Sequence, residues 1–140
     1  MKLLGIDWGQ RRLGIAMSDD GGTFAFEHHV LDNWNTDDFI EYLRQLIAYE
    51  RIDRIVVGLP INTQGEDTAS TEQVREFAAT IENCLNIPID FEDERFTTQM
   101  ADATFREMGI SQRDARGRKD MLAAKYLLQS YIDRKNHEEE

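Results

Sequence analysis

The N-terminal segment holds two short apolar runs separated by a turn that contains a carboxylate. Leu3–Ile6 forms the first run and Leu13–Met17 the second, with Asp7 and Gly9 between them. Two apolar runs this close together, with a glycine in the gap, predict a β-hairpin. Gly9 lets the chain turn tightly and lets a phosphate or metal ion approach the backbone. Asp7 then has two interpretations of similar weight: it closes the turn through its own backbone, or it holds a cation.

The rest of the chain reads as a third strand followed by alternating helices and strands. Strand patterns cover 23–31, 54–59 and 87–91, and helix patterns cover 36–50 with Thr36 as N-cap, 68–86, 97–108 and 118–133. The apolar run over 54–59 ends at Pro60, which is typical of a strand buried on both faces in a parallel arrangement. Pro88 predicts an edge position for the last strand. We therefore expect an α/β layered fold with a mixed five-stranded sheet, an antiparallel meander of three strands plus two parallel strands, flanked by helices.

The length of 140 residues fits one domain, which we place at 1–133, with a polar tail over 134–140 that we expect to be disordered. No apolar stretch approaches the roughly 18 residues of a membrane span, so no membrane partner is predicted. The chain has a single cysteine and begins without the pattern of a signal peptide. We therefore expect a cytoplasmic protein.

The formal net charge is −11, whereas binding to nucleic acid through its phosphates requires clustered Lys and Arg. Basic residues cluster at Arg11–Arg12 and again in the segment 111–119, which carries Arg113, Arg116, Arg118 and Lys119. This segment follows Gly109, contains a glycine and lacks apolar periodicity. It is either a solvated surface loop or, as we predict, a mobile loop that orders over nucleic acid.

Acidic residues follow strands that should end at one edge of the sheet. Asp7 ends the first strand, Gly58–Asn62 follows the fourth, and Asp93–Arg95 follows the fifth. Ligands of open α/β sheets bind outside this edge. Asp120 joins them if the last helix packs back across the sheet. The simpler interpretations remain open at this point: a solvated turn at Asp93 and an Asp120 that only complements its helix dipole.

Four blocks of sequence resemble the YqgF (RuvX) family of the ribonuclease H-like superfamily, and together they cover nearly the whole chain. They are residues 5–19 (GIDWGQRRLGIAMSD), 57–62 (VGLPIN) with Gly65, 93–98 (DERFTT), and 120–124 (DMLAA) with 128–131 (LQSY). The resemblance implies a ribonuclease H-like layered fold. It implies that Asp7, Glu94 and Asp120 are the catalytic acids. By its position in the loop after Pro60, Glu66 is the chief competitor for the role of Glu94. The resemblance also implies a nuclease that cuts near the 5′ end of pre-16S ribosomal RNA, or a Holliday junction resolvase.

Phosphodiester hydrolysis by paired Mg²⁺ ions requires carboxylates that converge from separate strands. Mg²⁺ takes oxygen ligands and keeps several waters, so neither His nor Cys is needed. We therefore expect Mg²⁺ or Mn²⁺ at Asp7, Glu94 and Asp120. Phosphate contacts are expected from the basic residues Arg11, Arg12 and Arg95 and from the basic segment. The glycines and loop residues expected beside the site are Gly9, Gly58, Pro60 and Asn62.

Two other classes of protein compete with the nuclease. The Asp-x-Gly hairpin also resembles the phosphate loop of the sugar kinase, Hsp70 and actin superfamily, but those proteins close two such domains over ATP and this length supplies one. The second competitor is a non-catalytic protein that binds nucleic acid or the ribosome on the same fold. The expected partners are precursor ribosomal RNA ahead of branched DNA, and ribosomal particles, with a monomer favoured over a homodimer.

Overall fold

The computed structural model describes residues 1–94, 106–109 and 112–138, and within 112–118 it describes the backbone alone. Its strands are β1 Leu3–Asp7, β2 Arg12–Ser18, β3 Ala25–Asp32, β4 Arg54–Leu59 and β5 Ile89–Asp93. Its helices of more than one turn are α1 Thr36–Glu50, α2 Ala69–Leu85 and α3 Gln112–Glu138. None of the described helices is long and apolar enough to cross a membrane.

The five strands form one mixed sheet in the order β3-β2-β1-β4-β5. β1 pairs antiparallel with β2 and parallel with β4, and β4 pairs parallel with β5. The predicted meander of three strands plus two parallel strands is confirmed. β5 lies at an edge of the sheet, as Pro88 predicts, because a proline has no N–H to donate to a ladder.

Side chains alternate along β1 between two hydrophobic layers. Leu4 and Ile6 belong to a core with residues of α1 and α2, such as Phe39 and Phe77. Leu3 belongs to the opposite layer, whose other members include the α3 residues Ala124, Leu127, Leu128, Tyr131 and Ile132. Because Asp7 has the same parity as Leu3, its side chain lies on the face that α3 covers.

A buried acid on β5 anchors the C-terminal half of α3. Glu92 is buried, and its side chain accepts hydrogen bonds from the Arg134 Nη2 at 2.8 Å and from the Ser130 hydroxyl at 2.9 Å. A buried charge is tolerated only when it is paired and hydrogen-bonded, so this contact ties α3 to the sheet edge.

The N-cap of α1 is Asn35, so the assignment to Thr36 was wrong by one residue. The Asn35 side chain accepts a hydrogen bond from the Asp38 backbone N–H at 2.9 Å. Asn and Thr are both good caps, and the backbone conformation at Asn35, with φ −127°, decides between them. For α2 the cap is Thr68, where the predicted helix pattern begins.

Helix α3 is longer at both ends than the predicted 118–133. The prediction of a loop over 111–119 was wrong for the described backbone, which is helical from Gln112. Gln, Arg, Ala and Lys in this stretch are good helix formers, whereas the apolar pattern used to find the helix begins only near Met121. The predicted disordered tail is also helical as far as Glu138.

The helix predicted over 97–108 lies mostly outside the described residues. Its last turn, 106–108, is helical, and Gly109 follows with φ 71°. A glycine in the left-handed region is a common helix end, as the sequence indicated.

Candidate active site

Two glycines flank Asp7 on the neighbouring strands. Gly14 of β2 pairs with Asp7, and Gly58 of β4 follows Val57, which pairs with Ile6. A Cβ on Gly14 would lie 2.1 Å from the Asp120 carbonyl oxygen, and a Cβ on Gly58 would lie 2.4 Å from Glu94 Oε2. Neither distance is possible for real atoms, so each glycine leaves the space in which a second acid approaches Asp7.

The close approach of α3 to the sheet extends along β1. A Cβ on Gly5 would lie 3.0 Å from Leu128 Cβ and 3.4 Å from the Ala124 carbonyl oxygen. Gly5 pairs with Ala16, and Gly14 pairs with Asp7 two register positions further along the β1–β2 ladder. The helix therefore lies against backbone at both glycines, which brings Asp120 near Asp7.

Asp7 and Glu94 form a hydrogen-bonded pair of acids. The pKa of Glu94 is raised to about 10, first by burial and then by the negative charge of Asp7 and a hydrogen bond to it. The pKa of Asp7 is raised to about 6, mainly by burial; the hydrogen bond from Glu94 lowers it and the charge of Asp120 raises it. At neutral pH the Glu94 carboxyl therefore keeps its proton, and its O–H donates a hydrogen bond to the Asp7 carboxylate.

Asp120 is held by an arginine. Arg12 Nε donates to Asp120 Oδ2 at 2.8 Å, and the two side chains are 31% and 27% exposed. Arg12, which the sequence assigned to a substrate phosphate, thus binds a candidate metal ligand in this state. Its neighbour Arg11 is well exposed and lies 3.5 Å from Asp32.

The three acids fit a divalent cation as oxygen ligands, although they are not arranged as a finished site. In the described part of the chain no three His, Cys, Asp or Glu side chains are grouped closely enough to hold a metal ion. Asp7 and Glu94 are in contact, and Asp120 is near enough to raise the pKa of Asp7. Hard cations such as Mg²⁺ prefer this all-oxygen donor set.

The turn between β1 and β2 is fixed by Gly9 and Trp34. The Gly9 carbonyl accepts a hydrogen bond from Trp34 Nε1 at 2.8 Å, and a Cβ on Gly9 would lie 2.6 Å from the Arg12 carbonyl oxygen. Trp8 packs against Trp34 and Phe77, with both pairs of ring centroids 6.4 Å apart, on the face away from Asp7. These contacts set the spacing between Asp7 and Arg12.

The loop after β4 is closed by the predicted loop residues. The Asn62 side chain accepts hydrogen bonds from the backbone N–H groups of Gln64 at 3.0 Å and Glu66 at 2.9 Å. The Pro60 carbonyl accepts from the Thr71 hydroxyl of α2. Glu66 is exposed, and among the described acids it does not contribute to the pKa of Asp7. The position beside Asp7 is therefore held by Glu94.

The structure does not describe the side chains of four of the predicted basic residues, Arg95, Arg113, Arg116 and Arg118. Arg95 is outside the described residues. The backbone of α3 carries Arg113, Arg116 and Arg118, whose side chains are not described, and Lys119 is partly exposed next to Asp120.

The sequence interpretation missed Gly14. A glycine inside an apolar strand is a recognised sign that another backbone approaches closely, and that sign was available in the sequence. The approaching partner on α3 is Asp120. It could not be identified from spacing, because 105 residues, 15–119, lie between Gly14 and Asp120 in the chain.

Comparisons with known proteins agree with this fold. A family model described as "RuvX: Holliday junction resolvase" matches residues 1–134. A protein of Maridesulfovibrio salexigens named "Putative pre-16S rRNA nuclease" is 38% identical over 134 residues, which cover 96% of this chain and 99% of that protein. A protein of Dictyoglomus turgidum with the same name is 36% identical over 133 residues, covering 95% of this chain and 94% of that protein.

Two solved structures share the fold at low sequence identity. RuvC of Thermus thermophilus, in complex with a Holliday junction substrate, superposes with a TM-score of 0.57 at 14% identity and covers 96% of both chains. The fowlpox virus resolvase, with Holliday junction DNA, gives a TM-score of 0.58 at 12% identity over 96% of this chain and 98% of that chain. The predicted ribonuclease H-like fold class is confirmed. Since the family model spans nearly the whole chain and full-length relatives exceed one third identity, this protein belongs to the RuvX family.

Proposed function

We propose that this protein is a metal-dependent endonuclease that hydrolyses phosphodiester bonds of structured nucleic acid, in the 5′-end maturation of pre-16S ribosomal RNA. The observation that carries the proposal is the partly buried contact between Asp7 and Glu94, with the charge of Asp120 beside it. Buried acids that repel one another cost stability, and such arrangements are concentrated at functional sites.

The three acids Asp7, Glu94 and Asp120 would hold Mg²⁺ or Mn²⁺ through carboxylate oxygens. When bound, the metal supplies an activated water and neutralises charge on the phosphate. The protein contributes fixed positions for the acids: Asp7 lies at the end of β1, and Glu94 directly follows β5 on the other side of β4. Asp120 lies on a helix packed against Gly14. Rigid placement of this kind lowers the entropy lost when the reacting groups are brought together.

Binding of the polyanion falls to the few basic groups around this site, because the net charge of the chain is −11. Exposed Arg11 lies in the β1–β2 turn, and Lys119 precedes Asp120. Arg95 directly follows Glu94 in the chain, and Arg113, Arg116 and Arg118 lie on the same helix as Asp120. We propose that these groups meet phosphates on either side of the cleaved bond.

Two substrates remain in competition, and each has its own support. The names of the relatives favour precursor ribosomal RNA, and we propose ribosomal particles as its setting. The description of the family model favours the Holliday junction, a branched DNA. We propose the RNA as substrate, acted on in the cytoplasm by a monomer.

The deciding experiment compares cleavage of two labelled substrates with Mg²⁺ or Mn²⁺: an RNA that spans the 5′ end of 16S with its leader, and a four-way DNA junction. We expect cleavage of the RNA at the leader boundary and its loss in Asp7→Asn, Glu94→Gln and Asp120→Asn. Glu66→Gln, which alters an exposed acid outside the site, is the matched control. Cleavage of the junction alone would make the protein a resolvase. Binding of either substrate without metal-dependent cleavage would make it a non-catalytic protein on this fold.

A further inference from the structure

Arg12 has a role that neither the sequence pattern nor the family assignment supplies. Its guanidinium forms a hydrogen-bonded ion pair with the Asp120 carboxylate, with Nε 2.8 Å from Oδ2. A carboxylate oxygen that accepts from a guanidinium in this way is not free to bind a cation on the same lone pairs. The positive charge at the site is therefore the Arg12 guanidinium, and it is paired with Asp120, the acid outside the hydrogen-bonded pair of Asp7 and Glu94.

The helix also has contacts with the sheet that do not involve Arg12. The backbone of α3 at Asp120 rests on Gly14, and one and two turns later Ala124 and Leu128 rest on Gly5. These contacts are backbone and apolar, and they are independent of the ion pair. Loss of the Arg12 side chain would release the Asp120 side chain while leaving its Cα where it is.

The ion pair is of the kind that exchanges easily. Both side chains are about one third exposed, and partly exposed ion pairs contribute little net free energy because water and salt screen them. A divalent cation that is also held by Asp7 and Glu94 attracts the Asp120 carboxylate more strongly than the single charge of Arg12 does. Once released, the Arg12 guanidinium remains at the start of β2, beside the site, and the N–H that bonded Asp120 can bind another acceptor.

We propose that Arg12 is a displaceable counter-ion, which holds Asp120 in the metal-free protein, leaves it when a divalent cation binds, and then contacts a substrate phosphate. Metal binding thereby creates a phosphate contact that did not exist before. The proposal rests on the proposed metal site at Asp7, Glu94 and Asp120, and makes Arg12 a positioning residue in one state and a substrate-binding residue in the other.

The first arm of the test measures Mn²⁺ affinity by calorimetry, without nucleic acid, for the parent, Arg12→Gln and Arg11→Gln. Because Arg12 competes with the metal for Asp120, Arg12→Gln should bind Mn²⁺ about two- to five-fold more tightly. Arg11→Gln removes an equal charge from the same turn but leaves Asp120 paired, so its affinity should change less. Weaker Mn²⁺ binding by Arg12→Gln would overturn the proposal, since it would mean that Arg12 prepares Asp120 for the metal.

The second arm measures how the affinity for a labelled RNA stem with a single-stranded 5′ extension depends on KCl, with EDTA or with saturating Ca²⁺. In the parent, Ca²⁺ should steepen the slope by about 0.7 to 0.9, the value of one phosphate contact. Arg12→Gln should lack this increment, Arg12→Lys should restore part of it, and Arg11→Gln should keep it on a shallower slope in both buffers. General screening by Ca²⁺ cancels because the increments are compared between variants.

The two arms separate this inference from the proposed function. If the parent and Asp7→Asn bind Mn²⁺ equally, the metal site itself is wrong. If the parent binds Mn²⁺ through Asp7 but Arg12→Gln keeps the Ca²⁺-dependent increment, the metal site stands and the role of Arg12 is refuted.

Discussion

Gly14 and Asp120 meet backbone to backbone: a Cβ on Gly14 would lie 2.1 Å from the Asp120 carbonyl oxygen. Atoms in a packed interior do not approach so closely, so any side chain at this position must push α3 away from the sheet. Asp7 pairs with Gly14 in the β1–β2 register. The separation of Asp7 and Asp120 is therefore set by a residue that has no side chain.

We predict that Gly14→Ala both destabilises the protein and disables the site. Overpacking costs about 1 to 3 kcal/mol, and here the obstacle is backbone, which yields less than a side chain. Urea denaturation should show the loss of stability, and calorimetry should show that Mn²⁺ binding is weakened at least ten-fold because Asp120 has moved from Asp7.

Gly21→Ala is the matched control for this substitution. A Cβ on Gly21 would lie 3.7 Å from Thr23 Oγ1, an ordinary contact. We expect a change in unfolding free energy within about 0.5 kcal/mol and unaltered Mn²⁺ binding. A Gly14→Ala protein as stable as Gly21→Ala, with normal Mn²⁺ affinity, would contradict the assigned role of Gly14.

Gly58→Ala should separate the site from the fold. The added Cβ would meet side chains, at 2.4 Å from Glu94 Oε2 and 2.9 Å from Leu127 Cδ2. The end of a side chain can rotate away, so we predict a smaller loss of unfolding free energy than for Gly14→Ala. The displaced Glu94 no longer reaches Asp7, so cleavage and Mn²⁺ affinity should fall at least ten-fold. Equal losses of stability in Gly58→Ala and Gly14→Ala, measured side by side in urea, would refute this distinction.

The strands, the antiparallel meander and the edge position of the last strand were predictable because they rest on local patterns. The hairpin around Asp7, the buried run over 54–59 and the edge position signalled by Pro88 each follow from a few neighbouring residues. Strand positions alone did not decide between Glu94 and Glu66, because both follow strands or their loops, and only the family resemblance favoured Glu94. The choice depends on the β4–β5 register, which places Gly58 opposite Glu92 and leaves room for Glu94.

The pairing of Arg12 with Asp120 was beyond the sequence for a related reason. Charge pattern identified Arg12 as basic and near the hairpin turn, and the phosphate role followed from that alone. The partner lies on a helix whose docking is decided by Gly5 and Gly14, far away in the chain. Tertiary placement therefore decided which charged groups pair, and the late start of the apolar pattern also misplaced the beginning of that helix.

Comparison of Glu94→Gln with Glu66→Gln tests which acid belongs to the site. Glu94 is hydrogen-bonded to Asp7, whereas Glu66 is exposed and contributes its backbone N–H to Asn62. We predict that Glu94→Gln lowers the cleavage rate at least a hundred-fold and that Glu66→Gln leaves it within two-fold. Single-turnover cleavage of the leader RNA gives both rates, and a larger loss in Glu66→Gln would reverse the assignment.

The acid pair also predicts how stability depends on pH in the absence of metal. The pKa values of Glu94, about 10, and of Asp7, about 6, both lie above the ordinary carboxyl values. The folded state therefore binds protons that the unfolded state has released, so the free energy of unfolding falls as pH rises. The fall from Asp7 ends near pH 6, and the fall from Glu94 continues above it.

Glu94→Gln removes the group that titrates above pH 6 and keeps an amide that donates to Asp7. Its unfolding free energy in EDTA should therefore decline less than that of the parent between pH 6 and 9, with a difference on the order of 1 kcal/mol or more, since each pKa unit corresponds to about 1.4 kcal/mol. Glu66→Gln should follow the parent curve. Saturating Mn²⁺ should raise the stability of the parent most at high pH, where the cation replaces the lost proton as the positive partner of the two acids. Urea denaturation at three pH values gives the free energy of unfolding of each variant. Parallel plots of this free energy against pH for the parent and Glu94→Gln would show that no proton is held between Glu94 and Asp7.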